Sequence, residues 1–291
     1  MTDDRNPPGL ASGTTLLTTL SMAAFAANSL LCRLALRETH IDAASFTTIR
    51  LASGALVLWI IVRLRHGASG SRGSWPSALA LFAYAAAFSF AYQSLPAGSG
   101  ALILFGAVQA TMIGFGLWHG ERMGMMQSAG LLLAASGLVG LMLPGLAAPP
   151  LSGALLMTTA GIAWGIYSLR GRGSSDATIN TAGNFMRSLP FCAALTLATL
   201  PAAEIDQPGT VYAIASGAIA SGLGYAVWYT ALPRLRATTA ATVQLSVPVI
   251  AAVGGIVLLS EPLTLRLVLA AAAVLGGIAM VISGRHGRSG G

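Results

Sequence analysis

LPAGSGALILFGAVQATMIGFGLWHGERMGMMQSAGLLLAASGLVGL, from Leu95 to Leu141, is written twice in this chain. Leu95-Pro96, Gly114, Glu121 and Gly137 return in order as Leu232-Pro233, Gly254, Glu261 and Gly277. The Leu-Pro pairs stand 137 residues apart and the other three pairs 140 apart, so the second copy gains three residues along the way. Each copy is two apolar stretches joined at a short polar hinge that holds a single Glu. Repetition at this scale decides architecture before local propensity does. At the 137 offset it reaches further: Arg33 matches Arg170, Arg50 matches Arg187, Phe88 matches Tyr225, and Tyr92 matches Tyr229.

Composition names the solvent. The chain is 55% hydrophobic and 9% charged, with a mean hydropathy of +0.73. A water-soluble domain carries about 25% charge, so that class is excluded. All sixteen basic residues are Arg. The chain's net charge of +7 would suit nucleic acid, but nearly all of these Arg lie in short loops between apolar runs. That is the orientation signal of a membrane protein, not a basic groove, and no nucleic-acid partner is expected. Asp3 and Asp4 argue against a signal peptide, which wants a basic start. Cys32 and Cys192 sit in apolar runs as small hydrophobes, with no disulfide or metal spacing.

A bilayer core takes about 20 apolar residues per helix. Ten runs satisfy this, at 14–36, 42–62, 76–94, 97–118, 124–143, 151–169, 178–199, 210–232, 236–259 and 264–283. An even number puts both termini on one side. That side collects eleven Arg, while the other has only Arg33, Arg37 and Arg266 together with most of the acids. The imbalance predicts cytoplasmic termini. The expected organisation is a tail 1–13, a five-helix unit 14–145, a second unit 146–284 and a tail 285–291. Five is odd, so the second unit enters the membrane inverted. Inverted repeats with a site near the midplane belong to alternating-access transporters.

Asn28-Ser29-Leu30-Leu31-Cys32-Arg33 with Phe46-Thr47-Thr48-Ile49-Arg50-Leu51, the hinges Gly120-Glu121-Arg122-Met123 and Ser260-Glu261-Pro262-Leu263, and Tyr225-Ala226-Val227-Trp228-Tyr229-Thr230-Ala231-Leu232 resemble the repeated units of EamA-type transporters. Residues 12–284 are similar to two such units, placing the chain in the drug/metabolite transporter superfamily. Within it, the chain looks closest to bacterial exporters of aromatic amino acids. The resemblance implies an all-α polytopic membrane protein. Its ten transmembrane helices form two inverted five-helix repeats around a central cavity lined mainly by helices 1, 3, 4, 6, 8 and 9. It also implies amino acid efflux across the bacterial inner membrane.

The candidate substrate-binding residues are Asn28, Tyr84, Phe88, Trp164, Tyr167, Tyr225, Trp228 and Gln244. Aromatics are scarce at 7%. Tyr84, Phe88 and Tyr92 share a face of helix 3, and Tyr225, Trp228 and Tyr229 share one of helix 8. An aromatic wall suits apolar or aromatic ligands; interfacial belting or helix packing is the alternative, most evenly balanced at Tyr92 and Tyr229. Asn28, Gln109 and Gln244 put amides inside apolar spans, either for a zwitterion or as interhelical ties. Pro248 weakens the helix one turn back, beside Gln244. Arg50 and Arg187 are charges within spans, which marks them as functional candidates. Paired with the hinge acids, they form two expected latches, Arg50–Glu261 outside and Arg187–Glu121 inside; static ties or snorkelling are the alternative.

No Asp or Glu sits mid-span, and His40, His66, His119 and His286 lie at predicted ends or tails. A proton relay needs such a group. Facilitated diffusion of aromatic and other neutral amino acids is therefore expected; export of another metabolite or drug, with proton coupling, is the alternative. No enzyme is expected: Ser99 lies among glycines with no His at membrane depth to activate it. No phosphate-binding Gly-Lys motif exists. The expected partners are the substrate and the bilayer, with no metal or cofactor, and the expected working unit is a monomer.

Overall fold

The computed structural model describes residues 8–66, 73–120, 122–143, 148–171, 176–235, 240 and 243–284. Its regular structure is all helical, with no strand among the described residues. The helices are α1 (Pro8–Glu38), α2 (Ala43–His66), α3 (Trp75–Tyr92), α4 (Ala97–Trp118), α5 (Met125–Met142), α6 (Leu151–Gly171) and α7 (Ala177–Thr199). They continue with α8 (Gln207–Arg234), α9 (Ser246–Leu259) and α10 (Leu265–Gly284).

Eight of these are long and apolar enough to cross a bilayer, against the ten expected. α6 has the length but is less apolar, and α9 is shorter. The chain thus has eight to ten apolar helices. α6 trades aliphatic residues for Thr158, Thr159, Trp164, Tyr167 and Ser168. The longest described run of the ninth helix is Ser246–Leu259, preceded by helical residues at 240, 243 and 244 and a turn at Leu245. Pro248 has no N–H to bond back to Gln244, and Leu245 is the cap before the first turn. α1 begins at Pro8 rather than 14, and its 31 residues reach about 46 Å at 1.5 Å per residue, more than a bilayer core needs.

The helix starts were chosen by side chains. Ser74 Oγ accepts the Ser77 N–H, Asp176 Oδ1 accepts that of Ile179, and Asp206 Oδ1 accepts that of Gly209. Asp42 Oδ1 takes the N–H groups of Ala44 and Ser45, both at 2.9 Å. Each satisfies an orphan donor of a first turn. Asp42 and Asp206 also tie their loops together. Asp42 Oδ2 accepts the Glu204 N–H at 3.0 Å, and Asp206 Oδ2 accepts that of His40 at 3.2 Å. Burial pushes the Asp42 carboxyl up, but the Ser45 side chain and the N–H groups of Ser45, Glu204 and Ala44 outweigh it and hold it below its ordinary value.

α5 packs along α10 at one side, with Gly130 and Gly277 letting the backbones touch. Other contacts run α3 with α6 and α7, α4 with α6, α2 with α7 and α8, α1 with α8 and α9, and α4 with α9. Phe46, Leu58, Phe88, Tyr92 and Leu95 are fully buried between them. Large side chains face outward as well: Leu132, Val257 and Leu258 are exposed, as a lipid-facing surface requires and an aqueous one does not.

α8 is not a uniform helix. Residues Ala215–Leu223 are π-helical between the α-helical turns Gln207–Ile214 and Gly224–Ala231. π stretches are rare and concentrate at functional sites. Here the stretch lies on α2: a methyl added at Gly217 would overlap the Arg50 carbonyl oxygen and the Ser53 hydroxyl. Only glycine lets the two backbones come this close.

Candidate substrate cavity

A cavity of about 260 Å³ lies between the helices. Asn28 of α1, Tyr84 and Phe88 of α3, Trp164 and Tyr167 of α6, Tyr225 and Trp228 of α8, and Gln244 before α9 all line it. The eight residues singled out from the sequence are thus brought to one wall. Trp164 is its centre. Its ring lies 4.8 Å from Tyr84, 5.2 Å from Tyr167 and 5.4 Å from Tyr225, nearly parallel to the last two. Phe25 extends the wall to Tyr225 and Trp228. Offset ring pairs of this kind add about 0.5–1.5 kcal/mol each beyond burial, so the wall is preorganised rather than collapsed onto itself.

Of the two residues left most evenly balanced, Tyr229 lines the cavity and Tyr92 does not. Tyr92 is fully buried, and its hydroxyl donates to the Ala97 carbonyl at 3.3 Å. Gln109 also lies off the cavity. The sequence reading missed Phe25, Ser221 and the polar face of α7, where Asn180, Thr181 and Asn184 enter the lining. Asn184 Nδ2 donates to the Tyr167 hydroxyl at 3.4 Å, and its Oδ1 accepts the Ser74 N–H at 2.9 Å. The criterion that found Asn28, an amide inside an apolar run, would have found Asn184 too.

Around Tyr84 the polar atoms are ordered. Ser216 Oγ, in the π segment, donates to Asn28 Oδ1 at 2.6 Å. Asn28 Nδ2 then donates to the Tyr84 hydroxyl at 3.3 Å. Arg50 Nη2 donates to the same hydroxyl at 3.1 Å. The guanidinium carbon lies 5.3 Å from the Tyr84 ring centre and 4.9 Å from that of Phe88. Arg50 is 1% exposed, and its Nε and Nη1 have no hydrogen-bond partner among the described residues.

The expected Arg50–Glu261 latch is not formed. Glu261 Oε1 pairs instead with Arg33 Nε at 3.2 Å, and Oε2 accepts the Ala97 N–H at 2.8 Å, at the start of α4. Arg33 Nη1 also donates to the carbonyls of Tyr92 and Gln93. The reason is depth: Arg33 sits at the end of α1 beside the α9–α10 hinge, whereas Arg50 lies inside the bundle behind Tyr84. Arg187 donates to the Gly183 carbonyl of its own helix at 3.3 Å, and Glu121 lies outside the described residues. At the cavity's other extremity the lining comes from Gly171, Ala177 and Leu232.

Residues 151–283 match the EamA-like transporter family. The uncharacterized protein PA1977 of Pseudomonas aeruginosa is 57% identical over 277 residues, spanning 95% of this chain and 96% of its own length. A protein of known crystal structure, 19% identical, superposes with a TM-score of 0.66 over 95% of this chain and 99% of its own, which speaks for a shared fold alone. With its apolar helices and its second half matched to that domain, the chain belongs to the EamA-like transporter family, within the drug/metabolite transporter superfamily.

Proposed function

We propose that this transporter exports neutral amino acids, aromatic ones among them, across the bacterial inner membrane. The observation that carries this reading is the wall of stacked rings around Trp164, interrupted by the amides of Asn28, Asn184 and Gln244. Rings take an apolar side chain, and amides take polar ends without adding charge.

The mode proposed is alternating access by two inverted repeats. Its support is that Arg33 and Arg170, one repeat offset apart, bind opposite ends of α3. Arg33 holds the carbonyls of Tyr92 and Gln93, and Arg170 Nε donates to Ser77 Oγ at 3.1 Å. The helix pairings support it as well: α2 meets α7, α4 meets α9 and α5 meets α10, while α3 with α6 repeats α8 with α1. In this state the Arg33–Glu261 tie closes the outer end, and the lining at Gly171, Ala177 and Leu232 faces the cytoplasm. No Asp, Glu or His among the described residues lines the cavity, which supports transport down the substrate gradient, uncoupled from protons; the proposed working unit is a monomer.

The test is uptake of labelled phenylalanine and tryptophan into liposomes holding the purified protein, with and without a pH gradient. Saturable uptake indifferent to the gradient is expected. Uptake that follows the gradient overturns the uncoupled mode; no uptake of either by folded protein overturns the amino acid assignment.

A further inference from the structure

We propose that Arg50 and the Tyr84 hydroxyl form a subsite for the carboxylate of the substrate, and that the carboxylate, not the amino group, decides what the cavity accepts. This rests on the cavity being the transport site. Arg50 is fully buried, and among the described residues no acid pairs with it. A charge inside a membrane protein is paired or functional. Its compensation here is incomplete: two aromatic faces, one hydroxyl, and two nitrogens without a partner. Such a cation is short of a counter-charge that a ligand can bring.

Tyr84 provides the connection to the cavity. Its oxygen accepts from both Arg50 Nη2 and Asn28 Nδ2, which uses both lone pairs. Its one proton has no acceptor among the described residues, and Tyr84 lines the cavity. Ser216 fixes the Asn28 amide with its NH2 toward Tyr84, so the hydroxyl is held as a donor. Hydrogen bonds to an ionised acceptor are the strong ones. A carboxylate placed against Tyr84 accepts a hydrogen bond from that O–H and stands one hydroxyl away from the guanidinium. An ammonium meets no acid among the described lining residues, only amides, hydroxyls and ring faces.

The substrate class is then a monocarboxylate with an aromatic or apolar tail, of which neutral amino acids are a part. The experiment is competition against labelled phenylalanine in proteoliposomes, using 3-phenylpropionate, phenylalaninamide and phenethylamine. 3-Phenylpropionate should compete within about 3-fold of phenylalanine, and the two compounds without a carboxylate at least about 30-fold worse, the scale of a lost buried charge pair. Arg50→Gln should raise the KM for phenylalanine and shrink its advantage over phenylalaninamide; Arg50→Lys should keep part of it. Tyr84→Phe, which retains the ring and the fold if Arg50→Gln does not, should weaken both carboxylates by about 10-fold.

Equal competition by phenylalaninamide overturns the subsite and leaves the amino acid reading standing. Uptake of labelled 3-phenylpropionate without uptake of phenylalanine does the reverse. An unchanged KM for phenylalanine in folded Arg50→Gln and in Tyr84→Phe also overturns the subsite.

Discussion

Removing the carboxylate of Glu261 should loosen the end of the bundle where it meets Arg33 and, in the proposed orientation and mode, shift the protein toward an outward-open state. The Arg33 and Glu261 side chains are 11% and 6% exposed and 3.2 Å apart. At that distance, with an effective dielectric constant of about 20, their gross attraction is about 5 kcal/mol. Desolvation cancels much of it. Each partner also keeps other bonds: Arg33 the two carbonyls, Glu261 the Ala97 N–H at the positive end of α4. A net coupling of about 2 kcal/mol remains, which is roughly a 30-fold change in an equilibrium. Glu261→Gln retains the acceptor for Ala97 and removes only the charge. Spin labels at the exposed positions Gln93 and Leu263, in a background with Cys32 and Cys192 replaced, report the width of this end. Pulsed dipolar spectroscopy should show a longer distance gaining weight in Glu261→Gln and in Arg33→Gln, with the double variant little worse than either single one. A distance distribution indifferent to all three variants would refute the tie. Additive effects on thermal stability would refute the pairing.

Two further outcomes follow from the packing and the caps. Gly217→Ala should lower the thermal midpoint by roughly 5 °C, because the added methyl pushes the π segment off α2 at a cost of about 1–3 kcal/mol; an unchanged midpoint in a scanning unfolding assay contradicts the close approach. Asp42 is held below its ordinary value, so its contribution is present at neutral pH and is lost as pH falls through the folded value. Between about pH 5 and about pH 3, the wild type should therefore lose more stability than Asp42→Asn, which keeps the cap acceptor but does not titrate. Parallel pH profiles for the two proteins would contradict it.

The helices were legible because lipid demands long apolar runs, and α4 lies at its expected bounds, 97–118. The cavity wall was legible because aromatics are scarce, so a repeat that stacks Tyr84 and Phe88 opposite Tyr225 and Trp228 leaves few alternatives. Charge pairing was not legible. Glu261 takes Arg33, a residue that counting by sides treats as a loop charge, because which arginine reaches the hinge depends on helix tilt and depth. The π segment was equally hidden. Ala215–Leu223 reads as ordinary small-residue helix, and the close approach of Gly217 to Arg50 and Ser53 is a contact across the bundle. Asn180 and Thr181 lie near an expected helix end, whereas Asn184 lies inside the run and is as legible as Asn28; α7 brings all three into the lining.

The two in-span arginines show where a repeated scaffold stops being symmetric. Arg50 and Arg187 are one offset apart, yet Arg50 is fully buried against two rings, while Arg187 is half-buried and bonds its own helix. Their neighbours explain the split. Phe88 matches Tyr225 at the same offset, but Tyr84 matches Ser221. A serine is too short to reach an arginine across the bundle or to roof its guanidinium. Accordingly, Ser221 stands in the cavity lining with its hydroxyl unpaired among the described residues. Backbone symmetry serves the exchange between two faces, which needs equivalent halves. Recognition needs only one charge, and a second buried arginine would add a desolvation cost with no ligand group to answer it. In the proposed carboxylate subsite, this Tyr-to-Ser difference puts the charged end on the α1–α2–α3 side. It predicts that Ser221→Tyr, which rebuilds the first-half pattern in the second, draws Arg187 inward without restoring the carboxylate preference of an Arg50→Gln protein, because α8 at that point is π-helical and directs the hydroxyl differently. Recovery of that preference, read as the KM ratio of phenylalanine to phenylalaninamide, would show that the halves are interchangeable at the site after all.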